Sequence, residues 1–66
     1  MTIKVNGQDR EIADGTTVTA LIEQHNLSPQ KVAVELNRRL IRSDKYGTIL
    51  KAGDEVEIVT FVGGGA

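Results

Sequence analysis

Apolar and polar residues alternate near both ends of the chain. Ile3 and Val5 stand between polar neighbours near the start, and Val56 and Ile58 do so near the end. This is the period of a half-buried β-strand. A third alternating segment covers residues 32–36. Because the first and last strands are among the most apolar, we predict that they pair in parallel at the centre of one sheet.

Turn residues divide these strands. Asn6-Gly7 predicts a tight hairpin, because both residue types tolerate positive φ. The returning strand, residues 8–13, has few apolar positions, so we expect one of its sides to face solvent. A second turn at residues 37–39 leads into a short edge strand at residues 40–41, and the last strand covers residues 55–61.

One amphipathic helix is predicted between the first hairpin and the third strand. Val18, Leu21 and Ile22 recur at spacings of three and four, which places them on one face of a helix. Thr17 can cap its start, and we expect it to run to about Gln24. The order of elements predicts an α+β roll, with a mixed sheet of four to five strands and one main helix packed across it.

Composition narrows the class of function. The 66 residues carry a formal net charge of −1, which offers no attractive field for nucleic acid or an anionic membrane. No apolar run is long enough to span a bilayer, so we expect a cytoplasmic protein. With no cysteine and one histidine, His25, we expect neither a metal site nor a catalytic residue. A chain of this size favours a carrier or binding module over an enzyme.

The end of the chain is rich in glycine. Gly63, Gly64 and Gly65 precede Ala66, so we predict a folded domain over residues 1–61 and a flexible tail over residues 62–66. A frayed terminus is the simplest interpretation of such a segment. The alternative is chemical: a terminal carboxylate can attack the α-phosphate of ATP in a partner enzyme. Glycines without side chains would let the tail enter a narrow nucleotide pocket.

Several segments taken together carry a family resemblance. They are Ile3–Gly7, residues 14–18 leading into the helix, residues 32–37, residues 50–58, and the glycine tail. In this order and in so short a chain they are specific as a set. The whole chain resembles the ThiS family, the β-grasp (ubiquitin-like) sulfur carriers of thiamin thiazole biosynthesis.

The resemblance implies a role without catalysis or a bound cofactor. An E1-like enzyme of the ThiF type would use ATP to adenylate the terminal glycine. The glycine would then become a thiocarboxylate and give its sulfur to a thiazole synthase of the ThiG type. Family members end in Gly-Gly, whereas Ala66 follows here. We therefore expect a peptidase to remove Ala66, so that Gly64 and Gly65 form the working end and Gly63 helps to thread it.

Two further groups are candidate partner contacts. Phe61 and Val62 immediately precede the glycines, and Arg38 and Arg39 belong to a small basic cluster that would suit an acidic partner face. The simpler interpretations are a residue that caps the core and a solvated turn. Two other functions share the fold: a sulfur carrier for molybdopterin or cysteine synthesis, and a β-grasp binding module without tail chemistry.

Overall fold

A mixed β-sheet forms the frame of the molecule in the computed structural model, which describes residues 1–61. Within that range, the sheet has five strands in the order β2-β1-β5-β3-β4, and one α-helix packs with it. The predicted tail, residues 62–66, lies outside the described residues. The elements are β1 (Thr2–Val5), β2 (Gln8–Glu11), α1 (Val18–Gln24), β3 (Val32–Leu36), β4 (Arg39–Ile41) and β5 (Glu55–Thr60), with short 3₁₀ turns at Pro29–Lys31 and Ser43–Lys45.

The last strand occupies the centre of the sheet. β5 runs parallel to β1, with Val5 opposite Val56, and antiparallel to β3, with Val32 opposite Thr60. This arrangement confirms the predicted α+β roll and its central parallel pair. β5 ends at Thr60, one residue before the predicted end at Phe61.

The first hairpin follows the turn chemistry of its sequence. Asn6 and Gly7 have φ values of 51° and 82°, as a two-residue hairpin turn with the twist of the strands requires. Every residue of β2 is exposed, so both of its sides meet solvent rather than one. Ile12, which was expected within this strand, comes after its end and is buried.

A side-chain hydrogen bond caps the start of the helix, and main-chain hydrogen bonds cap its end. The Thr17 hydroxyl accepts a hydrogen bond from the Ala20 amide at 3.1 Å, which confirms the predicted N-cap. At the other end Asn26 has φ 58°, and the Leu27 amide donates to the Ile22 carbonyl at 3.2 Å. This is the Schellman arrangement, in which a residue of positive φ lets the chain turn back and satisfy carbonyls of the last turn.

The core lies between α1 and one face of the sheet. The face of the sheet that points away from this core is called the outer face below. Tyr46 and Leu50 complete the core from the irregular segment before β5, and the Tyr46 hydroxyl donates to the Val32 carbonyl at 3.4 Å. The buried apolar residues are Ile3, Val5, Ile12, Val18, Leu21, Ile22, Val32, Val34, Tyr46, Leu50, Val56 and Ile58.

Asn6 links the first hairpin to the central strand, and two substitutions separate its contributions. Its amide donates to the Val56 carbonyl at 2.9 Å, and its side-chain oxygen accepts from the Ile58 amide at 2.8 Å. Asn6→Gly keeps the positive φ and loses the side-chain bond, so we expect a loss of about 1 kcal/mol. Asn6→Ala loses the same bond and keeps a β-carbon in the left-handed region without the short polar side chain that lets asparagine adopt it, so we expect a loss of about 2 to 3 kcal/mol.

Urea denaturation followed by circular dichroism measures both free energies of unfolding. Equal losses for Asn6→Gly and Asn6→Ala would contradict the contribution of the backbone angle. An unchanged free energy for Asn6→Gly would contradict the contribution of the bond to Ile58.

Candidate functional site

The base of the predicted tail is fixed by the sheet. Thr60 pairs with Val32, and the Phe61 amide donates to the Lys31 carbonyl at 2.9 Å. Main-chain hydrogen bonds therefore hold the chain on its β3 side as far as Phe61. The predicted sulfur-carrying and processing positions, Gly63, Gly64, Gly65 and Ala66, lie outside the described residues, as does Val62.

Apolar side chains are exposed at this base. Phe61 and Val59 are 60% and 59% exposed, so Phe61 does not cap the core. Val56 and Ile58, the intervening positions of the strand, are buried under the sheet. Since alternate residues of a strand share a face, Val59 and Phe61 lie together on the outer face, and Ala33 pairs with Val59 there. This small apolar surface suits contact with another protein.

Glutamates occupy the middle of the outer face. Glu35 lies directly opposite Glu57, and Glu55 is two residues earlier in β5. Two cations stand at their margin: the Arg38 side chain is 4.0 Å from Glu55, and Lys4 pairs with Asp9 at 3.0 Å. The sequence reasoning missed this acidic row, although the period of two that buries Val56 and Ile58 would have placed the glutamates outward.

The structure separates the candidate arginines from Phe61. Arg38, with φ 70°, lies in the turn between β3 and β4, and Arg39 begins β4. This turn stands beside the first residue of β5, because the Asn37 amide donates to the Glu55 carbonyl at 2.7 Å. At about 3.3 Å per residue, Phe61 is about 20 Å farther along the strand. Both arginines are exposed, but they do not form one contact site with the base of the tail.

His25 has a structural position. It is the C-cap of α1, and its Nδ1 lies 2.9 Å from the Leu21 carbonyl, so Nδ1 carries the hydrogen that is donated. Among the described residues its buried Nε2 has no hydrogen-bond partner. Residues 1–61 contain no group of three or more histidine, cysteine, aspartate or glutamate side chains that could hold a metal ion. No helix in the same range is long and apolar enough to cross a membrane.

Comparison with protein families gives one match over nearly the whole chain. The family model described as the ThiS family matches residues 3–65. The match thus covers residues 3–61 of the described part of the chain and extends into the glycine segment.

Two thiazole synthases contain a segment similar to this chain. The protein of Magnetococcus marinus is 38% identical over 66 residues, which cover 98% of this chain and 20% of that protein. The protein of Paramagnetospirillum magneticum is 36% identical over 67 residues, which cover 100% of this chain and 21% of that protein. The chain therefore spans about a fifth of the length of these relatives.

Solved structures of similar size share the fold. The crystal structure of the thiamine biosynthesis protein ThiS from Geobacter metallireducens has a TM-score of 0.81 and 31% identity, over 96% of this chain and 97% of that one. A solution structure of a thiamine biosynthesis protein from the same organism has a TM-score of 0.81 and 33% identity, over 100% of this chain and 90% of that one. The mixed sheet with one helix is the β-grasp fold of these proteins.

Proposed function

This chain belongs to the ThiS family, and we propose that it is a sulfur carrier for thiamin thiazole synthesis. The observation that carries the proposal is the position of the glycine segment. It follows the central strand of the sheet in sequence, and within residues 1–61 the chain is held up to Phe61, whose amide donates to the Lys31 carbonyl just before β3. The folded domain then serves as the part that partners recognise, and the glycines form the part that reacts.

The proposed chemistry begins at the carboxylate of a terminal glycine. One carboxylate oxygen attacks the α-phosphorus of ATP held by a ThiF-type enzyme, and pyrophosphate leaves. A hydrosulfide equivalent from a sulfur donor then attacks the acyl carbon. The carbon–sulfur bond forms as the bond to AMP breaks, and the proton of the hydrosulfide passes to solvent. The product is a thiocarboxylate, and the carrier itself supplies no catalytic group.

Ala66 determines which residue can react. While alanine follows Gly65, the carbonyl of Gly65 is part of a peptide bond and has no free carboxylate. We therefore propose that a peptidase removes Ala66 and leaves Gly64-Gly65 as the working end.

Two relatives support thiazole synthase as the sulfur acceptor. In the proteins of Magnetococcus marinus and Paramagnetospirillum magneticum, a segment similar to this chain is part of a longer polypeptide described as thiazole synthase. Covalent linkage raises the effective concentration of one part near the other. Such linkage is useful when one part donates a group to the other, so we propose that a separate thiazole synthase is the partner here.

Intact-mass spectrometry tests this function. The protein is purified from its host, and a second sample ending at Gly65 is incubated with ATP, a sulfur source and a ThiF-type enzyme. We expect the host protein to lack Ala66, and the incubated chain to exchange one terminal oxygen for sulfur. A matched incubation without ATP is the control.

Two outcomes would contradict the proposal. A chain ending at Gly65 that gains no sulfur would remove the carrier function and leave a β-grasp binding module. A chain that gains sulfur but passes it only to a molybdopterin or cysteine synthase would keep the carrier and reject the thiazole pathway.

A further inference from the structure

The two edges of β5 differ in how much of their length is paired with a neighbouring strand. On one side β3 accompanies it from Val56 to Thr60. On the other side the pairing with β1 ends at Val5 opposite Val56, because the chain turns away at Asn6 and Gly7. The end of β5 therefore extends past its parallel neighbour.

Along a strand, main-chain amides and carbonyls point alternately to the two sides, and this alternation shows which groups of β5 have no hydrogen-bond partner beyond β1. Even-numbered residues point their amides and carbonyls toward β1: the Lys4 amide donates to Asp54, and the Asn6 amide donates to Val56. The Ile58 amide donates to the Asn6 side chain at 2.8 Å, which ends the series. The Ile58 carbonyl and both main-chain groups of Thr60 point to the same side, where no residue of 1–61 pairs with them. We call this three-residue segment, Ile58 to Thr60, the open edge.

A glycine tail can be held only through its main chain. Gly63 to Gly65 have no side chains for a partner to grip, so a partner must position them with main-chain hydrogen bonds. The open edge ends at Thr60, three residues before Gly63 in the sequence. A strand laid along the open edge would therefore bring the partner within a few residues of the glycines. Val59 and Phe61, exposed on the outer face, would give that strand apolar contacts.

We propose that the open edge receives an extended strand of the ThiF-type adenylating enzyme, which adds to the sheet beside β5 and guides the tail to the nucleotide. Strand addition to a free sheet edge is a common mode of recognition, in which main-chain bonds give affinity and neighbouring side chains give specificity. The inference rests on the proposed function, because it names how the activating partner binds.

A second copy of this chain fits the open edge poorly. The first hairpin occupies the side of β5 up to Asn6, so a second copy has only the three residues of the open edge to pair with. Strand pairs this short are unstable without further contacts. An enzyme that also contacts Val59 and Phe61 on the outer face is not limited to these three residues.

Replacing one amide by an ester tests the open edge with little effect on the fold. At 66 residues the chain is accessible to chemical synthesis, here ending at Gly65. An ester in place of the Thr60 amide removes one donor of the open edge, and it weakens but does not remove the bond that the Val59 carbonyl accepts from β3. The matched control is an ester at Asp9, whose amide points away from β1 on the exposed edge strand β2, far from the tail.

Steady-state adenylation by a ThiF-type enzyme, followed as pyrophosphate release, is the readout. We expect the Thr60 ester to lower kcat/KM roughly 3- to 10-fold, chiefly through KM, because one interfacial hydrogen bond is lost. The Asp9 ester should match the all-amide chain. Thermal unfolding should give the same midpoint for both esters, which excludes damage to the fold.

The outcomes separate this inference from the proposed function. Equal kcat/KM for the Thr60 ester and the all-amide chain would overturn strand addition and leave the carrier function intact. Equal losses for the two esters would also overturn it, because the effect would not be specific to the open edge. No adenylation of the all-amide chain would overturn the carrier function and this inference with it.

Discussion

Leu21→Ala is expected to lower the free energy of unfolding by about 2 to 5 kcal/mol, a large share of its total. Leu21 is 1% exposed and lies on the buried face of α1. Truncating a buried leucine costs about 2 to 5 kcal/mol, because apolar contacts are lost and a cavity remains. A domain of this length has a free energy of unfolding of about 3 to 10 kcal/mol in total. No cysteine is present to add a disulfide, so this loss is a large part of the total free energy of unfolding.

Leu40→Ala is the matched control for this loss. Leu40 is 70% exposed on β4, so the same chemical change should alter the free energy of unfolding by less than about 0.5 kcal/mol. Urea denaturation monitored by circular dichroism measures both variants. Similar losses for the two leucines would contradict the assignment of Leu21 to the core.

Gly64→Leu, in a chain ending at Gly65, is expected to lower kcat/KM for adenylation by more than about 100-fold. A side chain next to the reacting residue would displace the carboxylate from the α-phosphorus. Misplacement of a reacting group by about 1 Å can cost about 100-fold in rate. The substitution lies in the predicted tail and not in the predicted domain, residues 1–61, so we expect the free energy of unfolding to stay unchanged. Pyrophosphate release measures the first quantity and urea denaturation the second.

Gly47→Ala is the control for the loss of a glycine as such. Gly47 has no heavy atom within 4 Å of the position that a β-carbon would take, and its φ is not positive. Adenylation of this variant should equal that of the parent chain. Full adenylation of Gly64→Leu would show that the tail does not enter a narrow site. The carrier function would remain, because the tail would still be adenylated.

Local chemistry made much of the fold predictable. The Asn6-Gly7 turn, the Thr17 cap and the spacing of Leu21 and Ile22 each depend on interactions within a few residues. The sequence displays such interactions directly, and the structure confirms all three. The parallel pairing of β1 and β5 was predictable for another reason. Strands buried in the middle of a sheet are the most apolar, and those two met that condition.

The register of the strand pairs could not be predicted from the sequence. The open edge depends on where β1 stops beside β5, and no local pattern shows that Val5 lies opposite Val56. The same is true of Arg38, which the register of β3 on β5 places beside Glu55 and far from Phe61. A basic cluster and an apolar pair can each be found in a sequence, but their separation needs the sheet.

Some parts of the candidate site could likewise be predicted from the sequence, and others needed the structure. Glycine composition was enough to predict a tail, and the resemblance to the ThiS family implied its chemistry, but residues 62–66 lie outside the described part of the chain, so that assignment stays a prediction. The glutamates of the outer face could have been found from their alternation in β5. Their cross-strand neighbour Glu35 becomes apparent only from the pairing with β3.

The central parallel pair also determines how much of β5 is left unpaired. Val5 and Val56 come from opposite ends of the folded domain, so their contact closes a long loop and is slow to form. Until that contact forms, the whole β1 side of β5 is unpaired, and afterwards only the open edge, Ile58 to Thr60, is left. Docking of β1 therefore protects most of the central strand from pairing with other chains, and it leaves exposed only the part nearest the tail.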